Sequence, residues 1–192
     1  AMDFQLTEEQ QMIREMVRDF AEKEIMPIAA EVDREGQFPA DNFKIMAELG
    51  ILGLPWPEKY GGAGADTVSY AVATEEISRA CGSHGLSYAA HVSLGSSPIY
   101  LFGTEEQKKR FIPRILSAGE IWCTFYSEPE AGSDMANVQT QAVEDGDDFI
   151  VNGQKVWSSG AHYADWAVLL VRTDPEARKH RGISYLFLDM RT

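Results

Sequence analysis

Apolar side chains recur every three or four residues near the start of the chain. They form one stripe through residues 13–32, which is typical of an amphipathic helix. A capping box precedes the stripe. In it, the Thr7 hydroxyl can accept from the amide of Gln10, and the Gln10 side chain can accept from the amide of Thr7. We expect Pro27 to kink this helix, since proline has no amide hydrogen to donate, and Gly36 to end it.

Further helices follow from the same period. The pattern predicts a short helix within residues 43–52, a longer one that begins at Asp66, and another that opens with a second capping box at Thr104. On the longer helix, Glu76 and the glutamate before it stand three and four residues ahead of Arg79. These carboxylates are expected to form ordinary surface ion pairs.

Residues 80–104 carry no charged side chain, and a stretch of this length could span a bilayer. The stretch also contains two histidines, a proline, five serines and four glycines. Such groups are costly in hydrocarbon. It is therefore expected to form a buried or cavity-lining helix and not a membrane span.

From Ile121 onward the hydrophobic period falls towards two, and β-branched and aromatic residues alternate with polar turns. Asp145-Gly146 and Asn152-Gly153 are dipeptides typical of tight turns between strands. Helices followed by strands, without alternation, predict an α+β fold with an N-terminal α-helical domain over residues 1–119 and an antiparallel β domain over residues 120–192. The predicted strands cover residues 121–126, 138–143, 149–157, 166–172 and 183–188.

Composition narrows the possible partners. With 30 acidic and 17 basic residues the net charge is −13, and no lysine or arginine cluster stands out, so neither nucleic acid nor a membrane surface is an expected partner. Cys81 and Cys123 are too few and too far apart for a disulfide framework or a cysteine metal site, and no metal-binding motif is found. A reducing compartment is expected, either the cytoplasm or, in a eukaryote, the mitochondrial matrix.

Two short segments have residue types that suit a bound ligand. The first reads Ser127-Glu128-Pro129-Glu130-Ala131-Gly132-Ser133-Asp134, and the second reads Asn152-Gly153-Gln154-Lys155-Val156-Trp157-Ser158-Ser159. Small residues and exposed amides in the first can approach a flat, phosphate-bearing ligand. Trp157 with two following serines offers an aromatic face beside hydroxyls, which suits a heteroaromatic ring. A hairpin with a core tryptophan is the competing interpretation.

These segments resemble the Ser/Thr-Glu-Pro-x-Ala-Gly-Ser-Asp and Asn-Gly-x-Lys-x-Trp motifs of the acyl-CoA dehydrogenases. The resemblance also covers the first helix, the Gly-Gly-x-Gly loop, the helix with Ser93-Leu94-Gly95, the Gly103–Lys108 turn and Gly182-Ile183-Ser184, so it spans essentially the whole chain. It implies a helical domain, a β domain and a C-terminal helical domain. The last is expected to be absent from this chain, which is expected to be the N-terminal portion of a longer enzyme.

The resemblance implies FAD as cofactor and α,β-dehydrogenation of an acyl-CoA thioester to the trans-2-enoyl-CoA. It further implies an electron-transferring flavoprotein as electron acceptor and a homo-oligomer, either a dimer or a tetramer. Many members have Leu or Val at the position of Tyr126 and Trp-Ile-Thr at the position of Trp157-Ser158-Ser159. These departures favour a divergent branch of the family.

The family's catalytic glutamate is expected beyond this chain, so no catalytic residue is expected here, and Glu128 is expected to be a structural carboxylate. By resemblance, Trp157 covers the isoalloxazine face, and the Ser159 hydroxyl lies near the reactive nitrogen. Substrate contacts are expected from Ser133, Ala90, Ser93 and Leu94. Cofactor contacts are expected from Thr124, Phe125, Tyr126, Ser127, Gly132, Ser133, Trp157, Ser158 and Ser159.

Two other functions stay open at this point. One is a noncatalytic structural or binding subunit that keeps the fold and lacks the catalytic base. The other is a flavin-dependent oxidase or monooxygenase on the same fold, because a fold does not determine a reaction.

Overall fold

A computed structural model describes residues 4–191 of the chain. Two compact units divide between Glu120 and Ile121. The first unit contains the α-helices and the second contains the strands, so the expected order of a helical region followed by a sheet is confirmed. The α-helices are α1 (Glu8–Phe20), α2 (Ala29–Glu35), α3 (Ala40–Glu48), α4 (Thr67–Ala80), α5 (Gly82–Ala89), α6 (Ser97–Phe102) and α7 (Glu105–Leu116).

The predicted helix ends form as expected. The hydroxyls of Thr7 and Thr104 each accept from the amide of the glutamine three residues later, at 3.2 Å. Each glutamine side chain in turn accepts from the backbone amide of the capping threonine. Between α1 and α2 the helix type changes, first to a π-helical turn (Ala21–Ile25) and then to a 3-10 turn that contains Pro27. Helix α2 ends at Gly36, whose φ of 62° is left-handed.

The uncharged stretch folds as α5, a π-helical turn (Ala90–Gly95) and α6. His84 and His91 within it are buried. Among residues 4–191, no helix is both long enough and apolar enough to cross a membrane.

Glu76 is buried, which corrects the expectation of a surface pair. Its carboxylate accepts from Arg18 Nη2 at 2.6 Å, from Arg18 Nε at 2.9 Å and from Arg79 Nε at 3.1 Å. The hydrogen bond from Arg18 lowers the pKa of Glu76 against the opposing effect of burial, and Arg79 adds to the lowering. Glu76 therefore links α4 to α1 inside the first unit.

We expect Glu76→Gln to lower the free energy of unfolding by about 2 kcal/mol, because the buried amide is uncharged and keeps only one of the two oxygens that accept from Arg18 and Arg79. The measurement is urea denaturation followed by circular dichroism. Glu75→Gln, at the exposed neighbouring position, is the control and should change stability by less than about 0.5 kcal/mol. Equal effects of the two substitutions would contradict a structural role for Glu76.

The second unit is a five-stranded sheet within the described residues. Strand β4 pairs with β5 along its whole length, in the antiparallel direction. The first four residues of β4 also pair with β1, and its last residue, Arg172, pairs with β2, in both cases in the parallel direction. The sheet is therefore mixed, and the expectation of a wholly antiparallel domain is wrong. About forty residues separate β1 from β4, which is long enough for the crossover that parallel pairing needs. The strands are β1 (Trp122–Phe125), β2 (Gln141–Asp145), β3 (Asp148–Asn152), β4 (Trp166–Arg172) and β5 (Ile183–Asp189).

One of the two predicted turns is present. Strands β2 and β3 form a hairpin whose turn contains Gly146 with a φ of 66°. Asn152-Gly153 is not a turn, because β3 ends at Asn152 and residues 153–158 form neither a turn nor a regular element. Gly153 serves instead for close approach, since a Cβ there would lie 2.3 Å from Thr140 Oγ1.

The core of the second unit forms on both faces of β4. Leu170 packs on one face with Ala131 and Val138. On the other face, Leu169 and Val171 pack with Ala142, and half-buried Phe125 and Leu186 cover them. Burial on both faces explains the continuous apolar run of β4.

Candidate functional site

The two motif segments lie side by side just beyond the end of β1. The amide of Val156 donates to Ser127 O at 2.9 Å. The Lys155 ammonium donates to Glu128 Oε1 at 2.8 Å and to Tyr126 O at 3.2 Å. The structure thus brings together segments that are far apart in the sequence.

Glu128 is the polar centre of this arrangement. Its buried carboxylate accepts from the amides of Gln139 at 2.7 Å and Thr140 at 2.9 Å, from the Thr140 hydroxyl, and from Lys155. Burial raises the pKa of Glu128, but the hydrogen bonds from Lys155, Thr140 and Gln139 outweigh that effect and hold it at about 2. Glu128 is therefore ionised and structural, as the sequence predicts.

The loop that carries Gly132 and Ser133 is exposed and tethered at both ends. At its start, Glu128 and Ala131 exchange backbone hydrogen bonds of 2.8 and 3.2 Å. At its far end, the Arg172 guanidinium donates to Ala136 O at 2.8 Å and to Val138 O at 3.0 Å. A ligand can therefore reach Gly132 and Ser133 on a loop of fixed position.

Trp157 points into solvent, with 90% of its surface exposed. Its φ of 59° is left-handed, a conformation that costs a non-glycine residue about 1 to 2 kcal/mol. The interpretation of Trp157 as a core residue of a hairpin is therefore wrong. Strain at an exposed aromatic residue is an observation that points to function.

The hydroxyl of Ser158, the next residue, is buried and has no hydrogen-bond partner in the described structure. A buried hydroxyl without a partner is unfavourable in the free protein, so this group suits a ligand that supplies a partner. Ser159 is exposed and its amide donates to Trp157 O at 3.1 Å. An open aromatic face beside a buried, partnerless hydroxyl fits the flat ring and polar edge of a flavin.

The other predicted cofactor residues contribute partly to the core. Thr124 and Phe125 are half-buried on β1, and the Phe125 side chain packs against the β4 core. Tyr126 lies edge-on to Tyr185, with 5.9 Å between ring centroids. Burial, helped by Tyr185, raises the pKa of Tyr126, which keeps its hydroxyl neutral. Ser127 is half-buried, and its carbonyl is already engaged by Val156.

The predicted acyl-side residues Ala90, Ser93 and Leu94 lie in the first unit, on the π-helical turn after α5. Ala90 and Ser93 are half-buried, and Leu94 is 44% exposed. The Ser93 hydroxyl donates to Ala89 O at 2.6 Å. Isolated π-helical turns often occur at functional sites because they shift the side chains of one helix face.

Two features of the second unit were not predicted from the sequence. The partner of Glu128, Lys155, is one of them. The other is the exposed basic run Arg178-Lys179-His180-Arg181, which lines a surface cavity and corrects the statement that no basic cluster stands out. The overall composition did not indicate this run, because a large excess of acidic residues in the whole chain outweighs a short local run of basic residues.

Comparison with known sequences identifies both units. The family model described as "Acyl-CoA dehydrogenase, N-terminal domain" matches residues 7–119. A second model, "Acyl-CoA dehydrogenase, middle domain", matches residues 123–192.

Curated relatives agree with these matches. A probable acyl-CoA dehydrogenase of Bacillus subtilis, YngJ, is 53% identical over 172 residues, which cover 90% of this chain and 45% of the relative. A short-chain specific acyl-CoA dehydrogenase of Clostridium acetobutylicum is 42% identical, over 98% of this chain and 49% of the relative. The chain thus spans about half the length of the curated relatives it matches.

Solved structures share the fold. A chain in the structure of the electron transferring flavoprotein of Acidaminococcus fermentans superimposes with a TM-score of 0.92 at 40% identity, over 98% of this chain and 49% of that chain. A glutaryl-CoA dehydrogenase of Mycobacterium smegmatis in complex with FADH2 superimposes with a TM-score of 0.89 at 30% identity, over 97% of this chain and 47% of that chain.

Proposed function

The chain belongs to the acyl-CoA dehydrogenase family, and from that premise we propose that the protein catalyses FAD-dependent α,β-dehydrogenation of an acyl-CoA thioester to the trans-2-enoyl-CoA. The observation that carries this proposal is the exposed, strained Trp157 beside the partnerless hydroxyl of Ser158. The FADH2 complex of the M. smegmatis relative supports the choice of flavin.

Bound FAD would supply the acceptor for the hydride that leaves the β carbon. Trp157 would cover one face of the flavin ring and exclude water from it, and the hydroxyls of Ser158 and Ser159 would donate to its polar edge. Gly132 and Ser133 would contact the flavin and the CoA portion of the thioester through their exposed loop. We assign no residue of this chain as the base that removes the α proton.

The partners follow from the same family membership. The fold match to a chain in an electron transferring flavoprotein structure supports such a flavoprotein as electron acceptor. We expect a homo-oligomer, either a dimer or a tetramer. Cys81 and Cys123 are free thiols, which is compatible with the reducing cytoplasm, or the mitochondrial matrix in a eukaryote.

The test is a visible absorption spectrum of the full-length protein, followed by anaerobic addition of a series of acyl-CoA thioesters. Bound flavin whose absorption band is bleached by a thioester supports the proposal. Protein that cannot be loaded with flavin would favour the noncatalytic subunit and overturn it. Flavin that is bleached by a thioester but reoxidised by oxygen, and not by an electron-transferring flavoprotein, would favour the oxidase.

The half-buried small side chain of Ala90 would leave room for an acyl group, so Ala90→Phe is expected to shift the preference towards short chains. We expect kcat/KM for a long acyl-CoA to fall about tenfold relative to a short one, since a phenyl ring would fill the space. Ser87→Phe, at a half-buried position on α5, is the control. An unchanged chain-length profile with a lower melting temperature would show that Ala90 serves helix packing instead.

A further inference from the structure

We propose that Lys155 is a positioning residue, which through its ion pair with Glu128 holds Trp157 in its outward, flavin-facing orientation. The inference rests on the proposed function for its flavin part, and it concerns how this chain builds the flavin-facing surface. The charged groups of Glu128 and Lys155 bind one another and the backbone.

The ion pair is almost wholly buried, with the side chains of Lys155 and Glu128 exposed by 8% and 6%. Lys155 donates to the Glu128 carboxylate in the first motif segment and to Tyr126 O just before that segment, so it contacts this part of the chain at two points. The carboxylate is anchored in turn by Thr140 and Gln139. The ammonium therefore ties the second motif segment to a fixed part of the unit.

Trp157 needs such a tether because its own side chain cannot supply one. A ring with 90% of its surface exposed makes few packing contacts, and a left-handed φ persists in a tryptophan only where the surroundings over-determine it. The residues after β3 belong to no strand up to β4. The backbone before Trp157 is held by the Val156 to Ser127 hydrogen bond and by Lys155, and the backbone after it by the Ser159 to Trp157 turn.

A buried ion pair can be a plain stabiliser, but such pairs often add little net stability over an apolar replacement. Stabilisation alone predicts that loss of Lys155 lowers global stability and leaves the local geometry of folded molecules unchanged. Positioning predicts a local change in molecules that remain folded. The two roles are therefore separated by a measurement that resolves position along the chain.

The experiment uses Lys155→Met in the full-length protein. Methionine keeps the length and apolar stem of the side chain and removes the ammonium. Loss of the ammonium leaves the buried Glu128 carboxylate without its counter-charge, so we expect global stability to fall. The carboxylate keeps its bonds from Thr140 and Gln139, so we expect the variant to fold. Hydrogen exchange of the FAD-free protein, followed by mass spectrometry, should show residues 153–160 exchanging at least about tenfold faster, with β4 unchanged. The dissociation constant for FAD should rise at least about tenfold.

Glu76→Gln is the matched control, because it removes a buried, arginine-paired carboxylate in the first unit. It should lower the melting temperature and leave both the exchange of residues 153–160 and FAD binding unchanged. If Lys155→Met changes neither readout, or accelerates β4 as much as residues 153–160, the positioning role is wrong. Wild-type protein that binds no FAD would overturn the proposed function, and the exchange measurement would still decide the role of Lys155.

Should Lys155→Met fail to fold, Thr140→Val takes its place. Valine has nearly the shape of threonine and removes one donor to Glu128, so it loosens the same anchor while both charges remain. Faster exchange of residues 153–160 than of β4 supports the positioning role, and equal protection to wild type overturns it.

Discussion

Replacement of Trp157 by alanine should weaken FAD binding about tenfold or more and leave the stability of the free protein nearly unchanged. Loss of an aromatic stacking partner costs about 1 to 3 kcal/mol of binding free energy where flat heteroaromatic rings are bound. The indole is 90% exposed in the free protein, so its removal opens no cavity. The free energy of unfolding should change by less than about 0.5 kcal/mol.

The measurement is a titration of the FAD-free protein with FAD, combined with urea denaturation of the same sample. Alanine keeps a Cβ, so the cost of the left-handed backbone at position 157 is retained and does not obscure the result. An unchanged dissociation constant for FAD would contradict the proposed role of the ring.

Trp166→Ala is the contrasting control. Trp166 is buried and stacks on Trp122, with 5.6 Å between ring centroids and an interplanar angle of 15°. Its truncation should cost about 3 to 5 kcal/mol of stability through the cavity it leaves. A destabilisation by Trp157→Ala as large as that by Trp166→Ala would contradict the exposed position of Trp157.

The ends of the helices were predictable because each depends on residues within one turn. Thr7 and Thr104 form their capping boxes with glutamines three residues later. Asp66 caps α4 by accepting from the amide of Ser69 at 2.8 Å. Gly36 ends α2 since its left-handed φ costs glycine nothing.

The strand pairing was not predictable from the same pattern. An alternating or continuous apolar run identifies a strand but contains no information on the direction of its neighbour. Trp122 is aligned with Trp166 in a parallel pair across a long connection, and only the complete chain path decides that pairing. Glu76 was misjudged for a similar reason, because its burial depends on Arg18 of a distant helix.

For the candidate site too, the local features were predictable from the sequence and the features that depend on distant contacts were not. Its residue types and their spacing were visible in the sequence, as was the expectation that Glu128 is structural. The outward orientation of Trp157 and its strained backbone depend on contacts between Lys155 and Glu128, which are 27 positions apart. Contacts between residues so far apart in the sequence are determined by tertiary structure and not by local propensity.

Acidification from pH 6.5 to pH 4 is expected to remove about 3 kcal/mol of stability through His91 alone. His91 lies on the π-helical turn and is buried, with Nε2 2.9 Å from Ile115 O and its ring edge-on to Phe43. A carbonyl oxygen can only accept, so Nε2 carries a hydrogen and donates to Ile115 O. Burial lowers the pKa of His91 to about 4, although the hydrogen bond to Ile115 acts in the opposite direction.

The sign follows from proton uptake. Below pH 6.5 the unfolded chain binds a proton at this histidine, while the folded chain does not until about pH 4. The contribution of His91 to the free energy of unfolding is therefore constant well above pH 6.5 and decreases as the pH falls from 6.5 to about 4. Burial lowers the pKa of His84 as well, so it adds a contribution of the same sign.

Urea denaturation at a series of pH values checks this expectation, with His91→Gln as the variant. Glutamine is neutral throughout, and its amide can still donate towards Ile115 O, so the fall in stability between pH 6.5 and 4 should shrink by about 3 kcal/mol. His162→Gln, at an exposed position, should keep the wild-type slope. Glu128, whose pKa is held at about 2, contributes at the acid end of this window and below it, because its stabilisation is lost as the pH falls from about 4.5 towards 2. A wild-type slope that persisted in His91→Gln would show that other groups cause the acid sensitivity of the first unit.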